Sequence, residues 1–410
     1  MRPSQAQEDV SPPWKRILYF MLFVQIVTTM GFSCIFPFLP LYVESLGSVS
    51  RLSTKALTGL VYSAQAVTMM IASPIWGALA DRWGRKPMVV RATLGGAVIL
   101  VLMAFVRSAE ELVFLRAVQG LITGVVGSVN ALVAGIVPRE RAGYAMGVMQ
   151  VGLGVGIGLG PMIGGFIADL FGYDAAFFLT AALLAAAGLI VLFGVDEGFV
   201  RSEILQTRRS RFWENWGRII SAPGVTVTYT LRFAHQVGRI VYLPILPMFV
   251  LLLLDNPDRV NSVTGLAIGI SSAAGAVFAL LLGNLGDRMG HRRILILCAL
   301  AGTLLYVLQS QVQNDIQFLV LQFCIGIAIG GITTAISALL ARFTPMGEEG
   351  AVYGLDNAIS AGARALGPMI GVAIAGLLGV RAVFGAIATL YFIAALLSVW
   401  GLPKGRWKSQ

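Results

Sequence analysis

The residues best suited to chemistry in this chain are ionisable side chains inside long apolar runs. Burying a charge among apolar groups is costly, so such a residue usually has a partner or a function. The run that begins near residue 349 contains the carboxylate Asp356, and the run that begins near residue 223 contains Arg232 at a comparable depth. A carboxylate and a guanidinium in such surroundings can form a static ion pair or can exchange a proton, and the sequence leaves both interpretations open.

Four further basic side chains share this situation. They are Arg116, His235, Arg239 and Arg364. Arg364 follows Asp356 by eight residues, which on a helix gives nearly the same face but a separation of about 12 Å. We therefore expect Arg232 to be the direct partner of Asp356, and we predict that Asp356 is the proton-responsive group.

Patterns typical of catalysis or of metal binding are missing from the sequence. Its two histidines, His235 and His291, lie in different environments, and neither a nucleophile elbow nor a phosphate-binding loop can be found. We expect no enzymatic activity, no cofactor, no metal site and no use of ATP. Three cysteines fall inside apolar runs without paired spacing, which predicts packing roles for Cys34, Cys298 and Cys324.

The composition indicates a protein that crosses a membrane many times. The 410 residues are 57% hydrophobic and only 12% charged, with a mean hydropathy of +0.81, which leaves too few charges to cover a soluble globule. A membrane-spanning helix needs roughly 20 apolar residues. We place twelve spans at 16–43, 55–80, 87–107, 110–136, 141–168, 174–195, 223–253, 262–286, 293–312, 315–341, 349–378 and 381–401.

The distribution of basic residues predicts the orientation of these spans. On one side of the membrane the loops contain only Arg51, Lys55, Arg107, Arg259 and Arg381, and the other Lys and Arg residues outside the spans lie on the side of the two termini. By the positive-inside rule both termini are then cytoplasmic, in a multi-pass protein of the cell membrane. This placement also accounts for the net charge of +10 without a nucleic-acid partner. Lys15 and Arg16 lead directly into the first span, which predicts an uncleaved insertion signal.

A duplicated loop divides the chain into two repeats. The glycines, acid and bases of residues 77–87 return at 283–293, which is 206 residues further on. Six spans per repeat is an even number, so the two copies enter the membrane in parallel. We predict six-helix domains at 1–195 and 223–410, joined by a linker at 196–222. The aromatic and basic residues of that linker predict an interfacial helix.

Four motifs carry a family resemblance. The loop motif consists of Gly77, Asp81, Arg82, Gly84, Arg85 and Lys86, with Asp287 and Arg288 in the looser second copy. Span 1 contains Gly31-x5-Pro37-x2-Pro40, and span 4 contains Arg116-x2-Gln119-Gly120. Span 5 contains Gly156-x3-Gly160-Pro161-x2-Gly164-Gly165. The sequence resembles the major facilitator superfamily, and within it the twelve-helix drug:proton antiporters.

This resemblance implies a fold of twelve helices in two parallel six-helix bundles around a central cavity. It implies that Asp81 caps the start of span 11 near residues 347–350 as a cytoplasmic gate, although the loop residues could instead only set topology. We expect Gly160 to lie where the two halves approach. The candidates for lining the cavity are Pro37, Pro40, Gln119, Pro244 and Pro247.

The implied function is secondary transport by alternating access, with proton-coupled export of amphipathic compounds. The partners would be a small-molecule substrate, protons and the lipid bilayer, and the protein would be a monomer. Two departures concern the proton route: no acid lies between Ile17 and Val43, and Gly135 stands where many relatives have an aspartate. An exporter or facilitator of one metabolite, such as a sugar or lipid precursor, and a non-transporting sensor remain as alternatives. The low number of acids favours the first, and the retained motifs argue against the second.

Overall fold

The computed structural model describes residues 14–138, 141–195, 224–343 and 349–402, and these are helical almost throughout. The helices of the first half are α1 (Trp14–Ser33), α2 (Leu39–Leu46), α3 (Thr54–Trp83), α4 (Lys86–Met103), α5 (Ala109–Ile122), α6 (Val125–Ile136), α7 (Ala142–Phe171) and α8 (Tyr173–Gly194). Those of the second half are α9 (Val225–Ile240), α10 (Leu246–Leu251), α11 (Val260–Met289), α12 (His291–Ser310), α13 (Asp315–Phe343), α14 (Glu349–Leu378) and α15 (Val380–Gly401). The predicted linker at 196–222 lies outside the described residues.

Prolines break the first span of each half at the same place. Pro37 lies between α1 and α2, and Pro40 occupies the first turn of α2. Pro244 and Pro247 take the same positions relative to α9 and α10. Proline has no backbone N–H to continue a helix but fits its first turn, so each break is followed at once by a new helix.

Nine helical stretches of the described residues are long and apolar enough to cross a membrane, together with a shorter apolar helix at Ile17–Ser33. One of the nine, Tyr144–Gly194, has 51 residues and contains both α7 and α8. Predicted span 7 is not among them because its prolines separate α9 from α10, which leaves α9 with only 16 residues, and Arg232, His235 and Arg239 lower the hydropathy of α9. Predicted span 1 is represented by the shorter helix, because its prolines separate α1 from α2. Span 4 is also divided, into α5 and α6, but it is among the nine as Ala109–Asn130. With these three exceptions explained, the structure agrees with a fold of twelve helices in two repeats.

The halves are joined mainly by two helix pairs, α7 with α11 and α3 with α14, with a smaller contact between α2 and α10. The spacing between α7 and α11 widens steadily along the pair. A Cβ added at Gly165 would overlap the backbone of Asn261, whereas one at Gly158 would lie 3.8 Å from Ser272. At Gly154 it would lie 3.9 Å from Ala276, and at Gly147 it would meet nothing within 4 Å. The two halves therefore touch at one end and diverge toward the other.

The touching end, here called the sealed end, is the one that contains the loop residues 47–53 and 252–259. There Phe36 and Leu41 pack against the apolar core of the second half, and Leu243 packs against that of the first. The opposite end, here called the open end, contains the turns at Gly84 and Gly290. The positive-inside prediction makes the open end cytoplasmic.

The position expected for Gly160 is wrong. A Cβ there would overlap Met30 and Ser33 of α1, so Gly160 lies at a contact inside the first half and not between the halves. Gly156 and Gly164 face α1 in the same way, because residues four apart occupy one side of a helix. The contact to α11 is made instead by the other side of α7, through Pro161 and Gly165.

Candidate functional site: a cluster of charges inside the second half

The central feature of the site is an ion pair between α9 and α14. Arg232 donates from Nε to Asp356 Oδ1 over 2.7 Å and from a terminal nitrogen to Oδ2 over 2.8 Å. The two side chains are 15% and 9% exposed. A bidentate guanidinium–carboxylate pair is among the strongest polar contacts in proteins. The predicted partner of Asp356 is confirmed as Arg232.

His235 lies one turn beyond Arg232 on α9 and ties that helix to two others. Its Nε2 is 2.8 Å from the Thr333 hydroxyl on α13, and its Nδ1 is 3.3 Å from the Tyr391 hydroxyl on α15. The imidazole is almost fully buried. In the described residues it has no hydrogen bond to Asp356, so the geometry gives it a bundle-bracing position.

Arg239 and Arg364 form the second part of the cluster. Both are half-buried, and they lie within electrostatic range of each other. Within the described residues neither forms an ion pair. The buried Nε of Arg364 also has no hydrogen-bond partner there. Apart from Arg116, the predicted charge candidates of the spans thus lie on two helices of the second half, α9 and α14.

Arg116 lies in the first half. It is 1% exposed, and it donates to the Val61 carbonyl over 3.2 Å and to Gln119 Oε1 over 2.7 Å. These bonds connect α5 with α3 and keep Gln119 buried. Gln119 is therefore a packing partner of Arg116 in this state and not an exposed cavity residue.

The four proline candidates for the cavity are all buried, and they lie at the sealed end. Pro37 and Pro40 flank Leu39 and lie beside Phe36 and Leu41, which contact the other half. Pro244 lies beside Leu243, which does the same in the opposite direction. The contact between the halves at this end is thus made by the apolar neighbours of the prolines.

The two gating loops form the short turns between α3 and α4 and between α11 and α12. Gly84 ends α3 with a φ of 95°, which favours glycine, and Arg85 and Lys86 begin α4. In the second copy, Asp287 Oδ1 lies 3.0 Å from His291 Nε2, and Arg288 is exposed. The side chain of Asp81 and residues 344–348, which include part of the expected cap site on span 11, lie outside what the structure describes.

One charged contact between the two halves was not predicted from the sequence. Asp169, at the end of α7, accepts hydrogen bonds at the start of α11 from Asn261 Nδ2 over 2.7 Å and from the Ser262 backbone N–H over 2.6 Å. It is a charged contact between the halves at the sealed end. The duplicated sequence contained a signal, because the residue equivalent to Asp169 in the second repeat is Gly376.

Arg91 is a second residue that the analysis missed. Its guanidinium stacks over the Trp76 ring at 3.3 Å from the ring centre, and its nitrogens are buried without hydrogen-bond partners among the described residues. Trp76 in turn donates to the Leu121 carbonyl over 2.6 Å. The repeat comparison could have found it, since Leu297 is the equivalent residue.

Two repeats of membrane-spanning helices that meet at one end, with an ion pair inside the spans, are typical of the fold of a multi-pass membrane transporter. The family model of the Major Facilitator Superfamily matches residues 21–255 and 228–409. The chain belongs to this superfamily.

Individual relatives and structures agree with that assignment. The chain is 34% identical over 399 residues to the multidrug resistance protein MdtG of Klebsiella pneumoniae, covering 97% of this chain and 96% of the relative. It is 34% identical over 406 residues to MdtG of Escherichia coli, covering 98% of both. The solved structure of a mutant of the nucleoside transporter NupG superposes with a TM-score of 0.73 at 15% identity, over 93% of this chain and 99% of that one. A bacterial homologue of the lysosomal transporter Spinster gives 0.73 at 16% identity, over 95% and 97%.

Proposed function

We propose that this protein is a secondary active exporter that couples the inward movement of protons to the expulsion of amphipathic small molecules. The observation that carries the proposal is the Arg232–Asp356 pair, a buried carboxylate whose only ion-pair partner among the described residues is on another helix. Protonation of Asp356 would remove its charge and release Arg232. The relatives named multidrug resistance proteins support the kind of cargo.

The conformational part of the proposal is a rocking of the halves 1–195 and 223–410 about a site near the middle of the membrane. The divergence of α7 and α11 toward the open end corresponds to one of the two states that such a cycle needs. To reach the other state, the contacts at the sealed end must break. Those contacts are the hydrogen bonds of Asp169 to the start of α11 and the packing of Phe36 and Leu41 against the second half.

Coupling then requires that the charge state of Asp356 favours one of the two states. The pair joins α9 to α14, and α14 also packs against α3 of the other half. A change in the α9–α14 contact can therefore reach the interface between the halves through one rigid helix. Protonation of Asp356 would thus act on rocking through α14, which contacts α9 at the ion pair and α3 at the interface between the halves.

The proposal is tested by reconstituting the purified protein in liposomes with a fluorescent pH indicator. We expect addition of an amphipathic substrate to cause proton movement that is opposite to substrate movement and is abolished by a protonophore. A panel of dyes and antibiotics supplies candidate substrates. Substrate movement that is insensitive to the pH gradient for every compound carried would show a facilitator instead.

A further inference from the structure

A crevice of about 330 Å³ opens between α4 and α5, next to the loop that joins these two helices. Five apolar residues and one carboxylate line it, namely Leu102, Phe105, Val106, Glu111, Phe114 and Leu115. The neighbouring acid, Glu110, accepts hydrogen bonds from the Ser48 hydroxyl over 2.8 Å and from the Ser50 backbone N–H over 2.9 Å. The crevice therefore lies at the sealed end, beside the loop of residues 47–53.

The crevice faces outward from the first half. Phe105 and Phe114 are 67% and 66% exposed, and the Phe105 ring is held edge-on by Phe178 of α8, with ring centres 5.8 Å apart. On α5, Phe114 and Glu111 are turned by about 140–160° from Arg116, which is buried against α3. Exposed apolar side chains on the outer side of a membrane-spanning helix face lipid. Lipid therefore borders this crevice.

The charge of Glu111 is not needed for its local structural role. Its Oε2 accepts a hydrogen bond from the Arg107 backbone N–H over 2.8 Å. At the equivalent place in the second repeat, Gln317 Oε1 accepts from the Gln313 backbone N–H over 3.3 Å. A neutral amide thus makes the same contact 206 residues further on, and in the first repeat a carboxylate adds a charge that this contact does not require.

Arg107 is a second charge that only the first repeat has. It follows the lining residue Val106, it is exposed, and its equivalent is the neutral Gln313. In the part of the chain that the structure describes, neither Arg107 nor Glu111 forms an ion pair. One positive and one negative side chain thus lie within four residues of each other at the crevice, and neither is neutralised by a partner there.

These charges and the apolar lining match the parts of a zwitterionic phospholipid. A guanidinium suits a phosphate because its N–H donors form a planar fork. A primary ammonium has three donors, and a carboxylate oxygen can accept from it. A quaternary ammonium has the same charge but no N–H to donate, and a phosphoglycerol headgroup has no positive charge. The apolar residues bury an acyl chain favourably.

We propose that the crevice between α4 and α5 binds one phospholipid of the leaflet at the sealed end, with its primary ammonium on Glu111, its phosphate on Arg107 and an acyl chain along Phe105 and Phe114. The site is on the lipid-facing side of the first half, whereas the Arg232–Asp356 pair is inside the second half. The inference is independent of the cargo and of proton coupling.

The test measures the binding of single lipids to the purified full-length protein by native mass spectrometry. The two probes, phosphatidylethanolamine and phosphatidylcholine, carry the same acyl chains and differ only in the methyl groups on the ammonium. We expect phosphatidylethanolamine to bind about tenfold more tightly, because a hydrogen bond to a charged group adds about that much. Glu111→Gln keeps the backbone contact that Gln317 makes, and it should remove this preference by weakening phosphatidylethanolamine alone.

Arg107→Gln should behave differently. Both probes have the phosphate, so this variant should weaken both by a similar factor of about tenfold and keep the preference between them. The matched controls are Asp258→Asn and Arg259→Gln, on exposed charges in the loop of the second half at the same end. They should leave both affinities unchanged.

Three results would overturn the lipid site. They are equal affinities of the wild-type protein for the two lipids, a preference that survives in folded Glu111→Gln, and a preference that is lost in the control variants as well. Leu102→Trp tests the location without changing either charge, because the larger side chain fills the crevice. It should weaken both lipids, and unchanged affinities in this variant would place the bound lipid elsewhere and refute the site.

Discussion

The carboxylate of Asp169 in the first half caps the first turn of α11 in the second half. It accepts hydrogen bonds from the Ser262 backbone N–H over 2.6 Å and from the Asn261 side chain over 2.7 Å. An acid at the start of a helix is favoured by the free N–H groups and by the helix dipole. Because the two partners belong to different halves, this cap holds the sealed end closed.

Asp169→Asn should shift the protein toward the state that is open at the sealed end. Asparagine removes the charge and one accepting oxygen, which we expect to cost about 1 kcal/mol, or roughly fivefold in the population of the two states. Spin labels at residues 51 and 259, on opposite halves of the sealed end, would report a longer distance by pulsed electron resonance. Asp174→Asn, on an exposed acid of the neighbouring helix α8, should leave the distance unchanged. An unaltered distance in Asp169→Asn would show that apolar packing alone seals this end.

Gly160→Ala should destabilise the first half without changing the balance between states. Its Cβ would overlap Met30 and Ser33 of α1, and forcing helices apart in a packed contact costs on the order of 1–3 kcal/mol. A lower melting temperature in detergent is the expected result. Gly147→Ala on the same helix adds a Cβ with nothing within 4 Å, so its melting temperature should not fall. Equal melting temperatures for the two variants would contradict the close α1–α7 contact.

Gly160 was expected between the halves but lies against α1, which shows that the sequence of this fold predicts the helices better than the contacts between them. Composition, hydropathy and the repeat were enough to predict the helices, because they depend on local spacing and on the backbone's need for hydrogen bonds in lipid. The glycine pattern predicted a close helix contact, but a pattern on one helix does not specify which neighbour meets it. Pro161 and Gly165 contact α11 while Gly160 contacts α1, and only the three-dimensional arrangement separates them.

Of the contacts at the candidate site and at the sealed end, the sequence predicted one and did not predict the other. Asp356 and Arg232 could be paired from their comparable depths and from the adjacency of spans 7 and 11 that the family resemblance implies, and the structure places their charged atoms 2.7 Å apart. The cap by Asp169 could not be foreseen in the same way, since its partners are groups at the start of α11 that include a backbone N–H. Backbone donors are present at every helix start, so sequence alone does not show which of them an acid will reach.

Reporter fusions test the orientation of the open end. The basic residues of the loops predict that it is cytoplasmic. A reporter that is active only outside the cytoplasm should therefore be inactive when fused near Gly84 and active near Arg51. The two sites are a matched pair because they are at opposite ends of α3. The reverse activities would invert the topology and place the sealed end in the cytoplasm.

Removing one member of the buried ion pair should cost more than removing both. Asp356→Asn leaves the Arg232 guanidinium without its counter-charge, which costs about 3–5 kcal/mol when the pair is buried. The double variant Asp356→Asn with Arg232→Gln should recover much of that loss, because it leaves no uncompensated charge. Melting temperatures of the two single variants and the double variant form the required cycle. Losses that simply add would show that the two side chains do not depend on each other.

The transport role of Asp356 is tested by separating net proton movement from conformational change. Asp356→Asn cannot take up a proton, so proteoliposomes containing it should fail to accumulate substrate against a gradient. Exchange of labelled for unlabelled substrate should continue, because exchange requires rocking of the halves but no net proton transfer. Asp315→Asn, an acid in the first turn of α13 at the sealed end, is the control and should accumulate substrate normally. If Asp356→Asn also accumulates substrate normally, the ion pair only braces α9 against α14 and the proton must be carried elsewhere.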